Sequence, residues 1–184
     1  MVNRREGELN FSMELSFKRV YTNEDIGKVA RLAKEIWHEY YVSILSRAQI
    51  EYMVEKYQSV AAIRGQIEQE GFEYYLMEKK NGILSADYIG YMGVKPDQGK
   101  LFLSKFYIQK EHRGKGYASQ ALAYLQHICQ KRNLNAICLT VNRYNERSIA
   151  IYKKKGFQIV REQVADIGNG FVMDDYVMEL QLML

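Results

Sequence analysis

Two short stretches of the chain combine residue types and spacings able to hold a phosphorylated ligand. In Arg113-Gly114-Lys115-Gly116-Tyr117-Ala118, two glycines lie between a strand-like run and a helix-like one. Glycine lets the chain turn tightly and brings backbone N–H groups close to a ligand. The helix N-terminus that follows adds free donors and a partial positive charge, so a diphosphate suits the place. Taken alone, the pattern is equally an ordinary strand-to-helix turn, since neither the GxxxxGK[ST] nor the GxGxxG nucleotide fingerprint is present. The second stretch, NERSIAIYKKKGF from Asn145 to Phe157, sets Asn145, Ser148 and Tyr152 at i, i+3 and i+7. An amide, a hydroxyl and a phenol then share one side of a helix and can line a long ligand. Residue by residue, they also read as an N-cap, an incidental serine and a packed tyrosine. Each stretch leads into a helix, a buried strand separates them, and together they reinforce the ligand reading.

Other reactive groups carry less. Trp37-His38-Glu39-Tyr40-Tyr41 closes a helix-like segment. An aromatic wall with a carboxylate can hold a cationic amine, but Trp37 and Tyr41 at i, i+4 suit the core, and the core reading is preferred. Lys153-Lys154-Lys155 can reach an outer phosphate and equally suits the C-terminal end of a helix. His112 and His127 have no partner at ligand or triad spacing and are assigned no chemistry. Cys129 and Cys138 read as buried thiols of a cytoplasmic protein, in too small a number and at the wrong spacing for a disulfide or metal site.

The elements that must position these groups follow from periodicity. Glu14 to Val20 alternates as a strand. Thr22 caps a helix whose face carries Ile26, Val29, Ala30, Ala33 and Trp37, with Asp25 three residues after the cap. A second helical pattern, broken in the middle, runs from about Arg47 to Gln69. Phe72–Lys79 and Ile83–Val94 read as strands around an Asn81-Gly82 turn, the best hairpin signal in the chain. Lys95 to Gly99 is a further turn and Leu101–Ile108 a strand. Ala118, Ala121, Leu122, Leu125 and Cys129 mark an amphipathic helix, and the apolar run Ala136–Val141 a central buried strand. Asn145–Lys155 is a helix stopped by Gly156, and Phe157–Asp166 and Phe171–Leu182 are strands around Ile167-Gly168-Asn169-Gly170. The order βααβββαβαββ describes one mixed α/β domain.

The chain has 184 residues, 47% of them hydrophobic and 26% charged, a length and composition suited to one globular, soluble domain. No apolar run approaches the roughly 20 residues needed to span a bilayer. Residues 1–12 are polar and patternless and read as a flexible leader to a domain covering 13–184. The formal charge of +4 is compatible with an anionic ligand. It is no argument for nucleic acid, because no basic run or recognition motif accompanies it.

From Glu14 to Leu184 the chain resembles the GNAT acetyltransferase superfamily, most specifically over Leu101–Phe157. RGKGYA matches that family's [QR]-x-x-G-x-[GA] pyrophosphate loop, and NERSIAIYKKKGF its N-x-x-[SA]-I-x-x-Y-x-x-x-G-F segment. The ending GNGFVMDDYVMEL is similar, less specifically, to bacterial PaiA-like spermidine/spermine acetyltransferases. The resemblance implies a mixed, mostly antiparallel twisted sheet of about seven strands flanked by about four helices, with a splayed cleft for acetyl-CoA between Leu101–Ile108 and Ala136–Val141. It implies that backbone groups of Phe106, Tyr107 and Ile108 pair with pantetheine and that one of their N–H groups polarises the thioester carbonyl. The backbone of Arg113, Gly114, Lys115, Gly116, Tyr117 and Ala118 would hold the diphosphate, and Asn145 and Ser148 would bond pantetheine or phosphate oxygens.

Tyr152 is then the expected general acid, since a phenol with a reference pKa of about 10 is protonated at neutral pH and can donate to a departing thiolate. The base is less evident. Many members of the family place a glutamate on the strand before the phosphate loop, where this chain has Leu103-Ser104-Lys105-Phe106. Glu73, Glu78, Asp174, Asp175 and Glu179 qualify by type only. The implied activity is acetyl transfer, without a metal, to a primary amine of a small molecule, polyamines included, or of a peptide or protein. The resemblance implies no membrane or nucleic-acid partner and leaves room for a homodimer. A non-catalytic acyl-CoA-binding module is the alternative.

Overall fold

A computed structural model describes residues 15–81 and 85–183. The expected leader at 1–12 lies outside them, as does the tip of the turn expected at Asn81-Gly82. Strands β1 (Leu15–Arg19), β2 (Glu73–Asn81), β3 (Ser85–Asp97), β4 (Lys100–Ile108), β5 (Ala136–Asn142), β6 (Gln158–Gly168) and β7 (Phe171–Gln181) form one sheet in the order β1-β2-β3-β4-β5-β7-β6. Every neighbouring pair is antiparallel except β4–β5.

Helices α1 (Asn23–Tyr40), α2 (Arg47–Gln58) and α3 (Val60–Glu68) lie on one face; α4 (Tyr117–Arg132) and α5 (Glu146–Lys154) pack with the other. The expected cap is present, with Thr22 Oγ1 accepting from the Asp25 N–H at 3.1 Å. Five helices replace the expected four because the break in the Arg47–Gln69 pattern is complete. Ser59 adopts an extended ψ of 161° and caps a new helix, its Oγ accepting from the Ala62 N–H. The turn expected over Lys95–Gly99 is tighter than its sequence suggests. β3 continues through Asp97, and only Gln98 and Gly99, both at positive φ, make the reversal. Asn169 and Gly170 repeat that geometry between β6 and β7.

Strand alternation divides the core. Tyr75, Met77, Met92, Val94, Leu101, Leu103, Ile137, Leu139 and Met178 point toward α4 with Leu125 and Ile128. Tyr74, Leu76 and Tyr91 point the opposite way, toward Val29, Leu32 and Ile36 of α1. A third cluster joins Trp37, Ile50 and Met53 to Tyr41, Tyr107, Ile167 and Met173, so that α2 seats the β6–β7 hairpin.

Candidate active site

The site begins where the sheet comes apart. β4 and β5 pair only over Lys100–Phe102 and Ala136–Cys138. Beyond that seam β4 stays bonded to β3 as far as Ile108, and β5 to β7 as far as Asn142, so two facing strand edges run on without pairing. A bulge aids the divergence. Gly93 pairs with Lys105 and Val94 with Leu103, leaving Ser104 as the extra residue that bends β4. Gly90 allows the adjoining close approach, since a Cβ there would strike the Tyr107 carbonyl oxygen. Leu103, Phe106, Ala118, Leu122, Tyr152 and Phe157 help line the resulting cleft.

The glycine loop closes one end of the cleft. After a 3-10 turn at Lys110–His112, Gly114 and Gly116 take φ of 75° and 84°, values that favour glycine, and Gly116 is the N-cap of α4. Among the described residues, no backbone N–H from Gly114 to Ala118 donates to another backbone group. Gly114, Lys115 and Gly116 are exposed, so this is a cradle of free donors at a helix N-terminus. Tyr117 differs, for its side chain is buried against α4's core partners. Arg113 also turns its side chain inward. Its Nε donates to the Ile108 carbonyl at 2.8 Å, its Nη1 and Nη2 to Glu39 at 3.2 and 2.6 Å, and the guanidinium lies 4.9 Å from the Tyr40 ring centre. The loop is thereby braced to the end of α1.

Helix α5 supplies the opposite wall. Asn145 is its N-cap, 4% exposed, with Oδ1 accepting from the Ser148 N–H at 3.2 Å and from the Tyr40 hydroxyl at 2.9 Å. Ser148 Oγ lies 3.0 Å from the same hydroxyl. Tyr40 therefore reaches from α1 on the β4 side to α5 on the β5 side. Tyr152 packs against Phe157 and lines the cleft. Burial pushes its pKa well above the ordinary phenol value, with Tyr41 and Tyr40 adding to the shift, so it is fully protonated at neutral pH. Lys153 and Lys154 are exposed, while Lys155 lines the cleft and donates to Ser119 Oγ.

Cradle, unpaired strand edges and polar helix wall thus lie on one contiguous surface, and the chain around them can be compared with known proteins. The profile of the Acetyltransferase (GNAT) family matches residues 30–157, from within α1 to just past α5. The chain belongs to the GNAT acetyltransferase family. It is 30% identical over 76 residues to the uncharacterized N-acetyltransferase YycN of Bacillus subtilis strain 168 and 33% identical over 61 residues to a probable spermine N(1)-acetyltransferase of Bacillus subtilis subsp. natto. Those stretches cover 39% and 33% of this chain, and 49% and 40% of the two relatives. The fold matches that of the PaiA N-acetyltransferase from Thermoplasma acidophilum, solved in complex with coenzyme A, at a TM-score of 0.69 and 21% identity over 91% of this chain and 99% of that one.

The other side of the GNAT gap is aromatic. Trp37, 3% exposed, lies against Tyr41 in a tilted pair at 4.4 Å and stands 5.9 Å from Tyr107, which in turn lies 5.3 Å from Tyr91. Trp37 and Tyr41 are core, as their spacing implies, and the same core forms the floor behind β4. Four of the five carboxylates that qualify by type are committed elsewhere. Glu73 takes Arg132 in a two-pronged ion pair and accepts from Tyr75 Oη; burial alone would raise its pKa, but these partners outweigh it and hold it below the usual range. Glu179 pairs with Lys100 at 2.5 Å, and Glu78 accepts from Ser16 at 2.9 Å. Asp174 lies 2.8 Å from Arg143 Nε, a charge contact without hydrogen-bond alignment.

Asp175 alone of the five is both buried, at 7% exposure, and left with an Oδ1 that has neither a hydrogen bond nor an ion pair. Burial, with the Asp174 charge beside it, pushes its pKa up to about 6. Type in the sequence did not distinguish it; register and burial do. Glu39 and Tyr40, visible in the sequence only as part of an aromatic wall, are the residues that tie α1 to the loop and to α5. His38 Nε2 lies 2.9 Å from Glu51 Oε1, and His112 packs by Tyr117. Among the described residues no group of His, Cys, Asp and Glu is arranged to hold a metal, and both cysteines are free.

Proposed function

We propose that the protein transfers an acetyl group from acetyl-CoA to a primary amine by direct attack on the thioester. The observation that carries this reading is the unpaired gap between β4 and β5, which ends at a cradle of free N–H groups and has a protonated tyrosine in its wall. The edge formed by Phe106, Tyr107 and Ile108 pairs with the pantetheine arm as an added strand would. Backbone N–H groups from Gly114 to Ala118 hold the diphosphate, the N–H of Arg113 itself being taken by the Lys110 carbonyl at 3.2 Å, and Asn145 and Ser148 give the arm polar contacts once the Tyr40 hydroxyl yields them. Acetyl-CoA supplies the activated carbonyl. A β4 N–H stabilises the oxyanion that grows as the amine adds. Tyr152 donates to the leaving sulfur. Because burial makes its phenol reluctant to ionise, the hydrogen bond itself supplies much of the stabilisation.

The acceptor belongs to the amines that carry a positive charge in water, polyamines and peptide amines among them; the likeness to a probable spermine acetyltransferase supports the polyamine end of that range. Free cysteines fit a cytoplasmic setting, and no helix among the described residues is long and apolar enough to cross a membrane. A second reading, a non-catalytic acyl-CoA-binding module, draws on β4, which carries no acid between Leu101 and Ile108. One experiment separates them: thiol release from acetyl-CoA over a panel of spermine, spermidine, simple alkylamines and short peptides. Turnover with any of them is expected. Tight acetyl-CoA binding without thiol release overturns the enzyme reading.

A further inference from the structure

The amine must lose a proton before it can attack, and the strand that forms the cleft provides no acceptor for it. Leu103-Ser104-Lys105-Phe106 holds a single ionisable group, Lys105, whose Nζ donates to Ser104 Oγ at 2.7 Å and lies 5.8 Å from the Phe72 ring centre. Below about pH 8 that lysine is a cation and repels an ammonium.

We propose that Asp175 of β7 takes the proton from the incoming ammonium, on the face of the gap opposite Tyr152. The inference rests on the acetyl-transfer reading and assigns the step that reading leaves open. Four observations place Asp175 there. It pairs with Asn142, the last residue of β5, at the open end of the cleft and far from the seam. The β5–β7 register is regular, so Asp175 shares a face with Met173 and Val177, opposite to Tyr176 and Met178, which face the α4 side. Met173 packs into the cluster of Trp37, Tyr41 and Tyr107, which fixes that face as the aromatic one. Finally, Asp175 is near enough to Tyr41 for its charge to add, after burial and the neighbouring Tyr107 and Tyr40, to the rise in that phenol's pKa, and the Tyr41 ring stands 6.4 Å from Tyr107 on β4. A buried carboxylate oxygen without a partner is costly unless something arrives to use it, and an ammonium flanked by Tyr41 and Tyr107 is a suitable arrival.

The protons balance. Asp175 as carboxylate accepts one proton from R–NH3⁺ and becomes the carboxylic acid, and the neutral nitrogen forms the C–N bond. The C–S bond breaks with its electron pair leaving on sulfur. The second amine proton replaces the one that Tyr152 lends to the thiolate, and Asp175 releases its own to water. One proton ends on the CoA thiol and one in solvent.

The charged or titratable groups bearing on Asp175 are Asp174, which is held by Arg143, and Tyr41, which stays neutral. A carboxylate of pKa about 6 is ionised at physiological pH, so the rate should fall below pH 6 as it protonates. The test uses the best acceptor from the alkylamine panel. Asp175→Asn is expected to lower kcat/KM about 100-fold or more, to erase the acidic limb near pH 6, and to leave acetyl-CoA affinity unchanged within about twofold by calorimetry. It should also lose far less activity with a fluorinated analogue of that amine that is already neutral at the assay pH, a contrast that a merely structural role would not produce. Asp175→Asn should melt no lower than the parent at pH 8, because a desolvated charge has been removed; Asp175→Glu, which keeps the carboxylate, should restore part of the rate. Wild-type turnover with an unaltered rate and pH profile in Asp175→Asn overturns this inference alone. Failure of the wild type to release thiol with any amine overturns the acetyl-transfer reading and the inference with it.

Discussion

The two sides of the strand gap are built on different principles. The side facing α4 and α5 is made of contiguous sequence: a glycine loop, a helix start and a capped helix, each contributing main-chain groups or a periodic stripe. The side facing α1 and α2 is assembled from distant pieces, with Tyr41 after α1, Tyr107 on β4, and Met173 and Asp175 on β7 brought together only by the fold. The first side presents exposed backbone donors at the start of α4 beside the Asn145, Ser148 and Tyr152 side chains of α5. The second has nearly all of its chemistry in a few side chains, with Asp175 buried and Tyr41, Tyr107 and Met173 half-buried.

That contrast can be broken at several points. The largest expected effect is on the α5 wall, where Tyr152→Phe should lower turnover by about 100-fold while acetyl-CoA affinity barely moves; stopped-flow thiol release with parallel calorimetry checks both, and unchanged turnover removes Tyr152 from the chemistry. On the opposite face, Lys105 gives a stability test. Burial, only partly offset by the Glu70 charge, lowers its pKa from 10.5 to about 8. The unfolded chain then binds more protons between those values, so the stability cost is full below pH 8 and fades as pH rises toward 10.5. Each unit is worth ~1.4 kcal/mol and partial exposure trims the sum, so Lys105→Met should stabilise the protein by roughly 2 kcal/mol at pH 7. Urea titrations at pH 7 and 10 should show the gain vanish; an equal gain at both would point to packing and not charge.

Smaller effects follow on the cradle side. Gly116→Ala forces a side chain into left-handed backbone, which costs about 1–2 kcal/mol. Affinity for CoA should drop about tenfold, with little change in kcat at saturation; equal affinity would mean that the loop does not hold the diphosphate. The smallest change sits between the two sides. Tyr40→Phe removes the hydroxyl that occupies Asn145 and Ser148, and acetyl-CoA binding is expected to tighten about threefold, the scale of one modest hydrogen bond. Weaker binding would instead make Tyr40 a positioning residue.

What could be read in the sequence tracks how local each feature is. The α4 loop and the α5 cap were legible because glycine conformations and N-caps are decided within a few residues, and Asn145 does cap α5, the alternative to a purely ligand-lining role. The seven strands were legible for the same reason, with ends displaced where β3 continued through Pro96. Asp174 and Asp175 show what was not legible. Adjacent and identical in type, they have opposite fates because a strand alternates, and which one turns inward depends on a register set by β5, 33 residues earlier at Asn142. Arg113 makes the same point. Its motif position was clear, but its grip on Glu39 needed the end of α1 to be placed beside it.

The short seam between β4 and β5 has a consequence for how this sheet meets its surroundings. An open strand edge invites other chains, and proteins normally blunt it with charge, bulges or cover. β6, at the rim, carries Arg161, Glu162 and Asp166 and two irregularities in its register. Two further edges are kept inside the sheet, where each guards the other. A visitor there must be one strand wide and must satisfy donors and acceptors on both flanks at once. A polypeptide with side chains projecting into the packed layers above and below meets steric resistance, whereas a slender chain of amides and methylenes does not. Adhesiveness that would be a hazard at the periphery thus becomes selectivity in the middle.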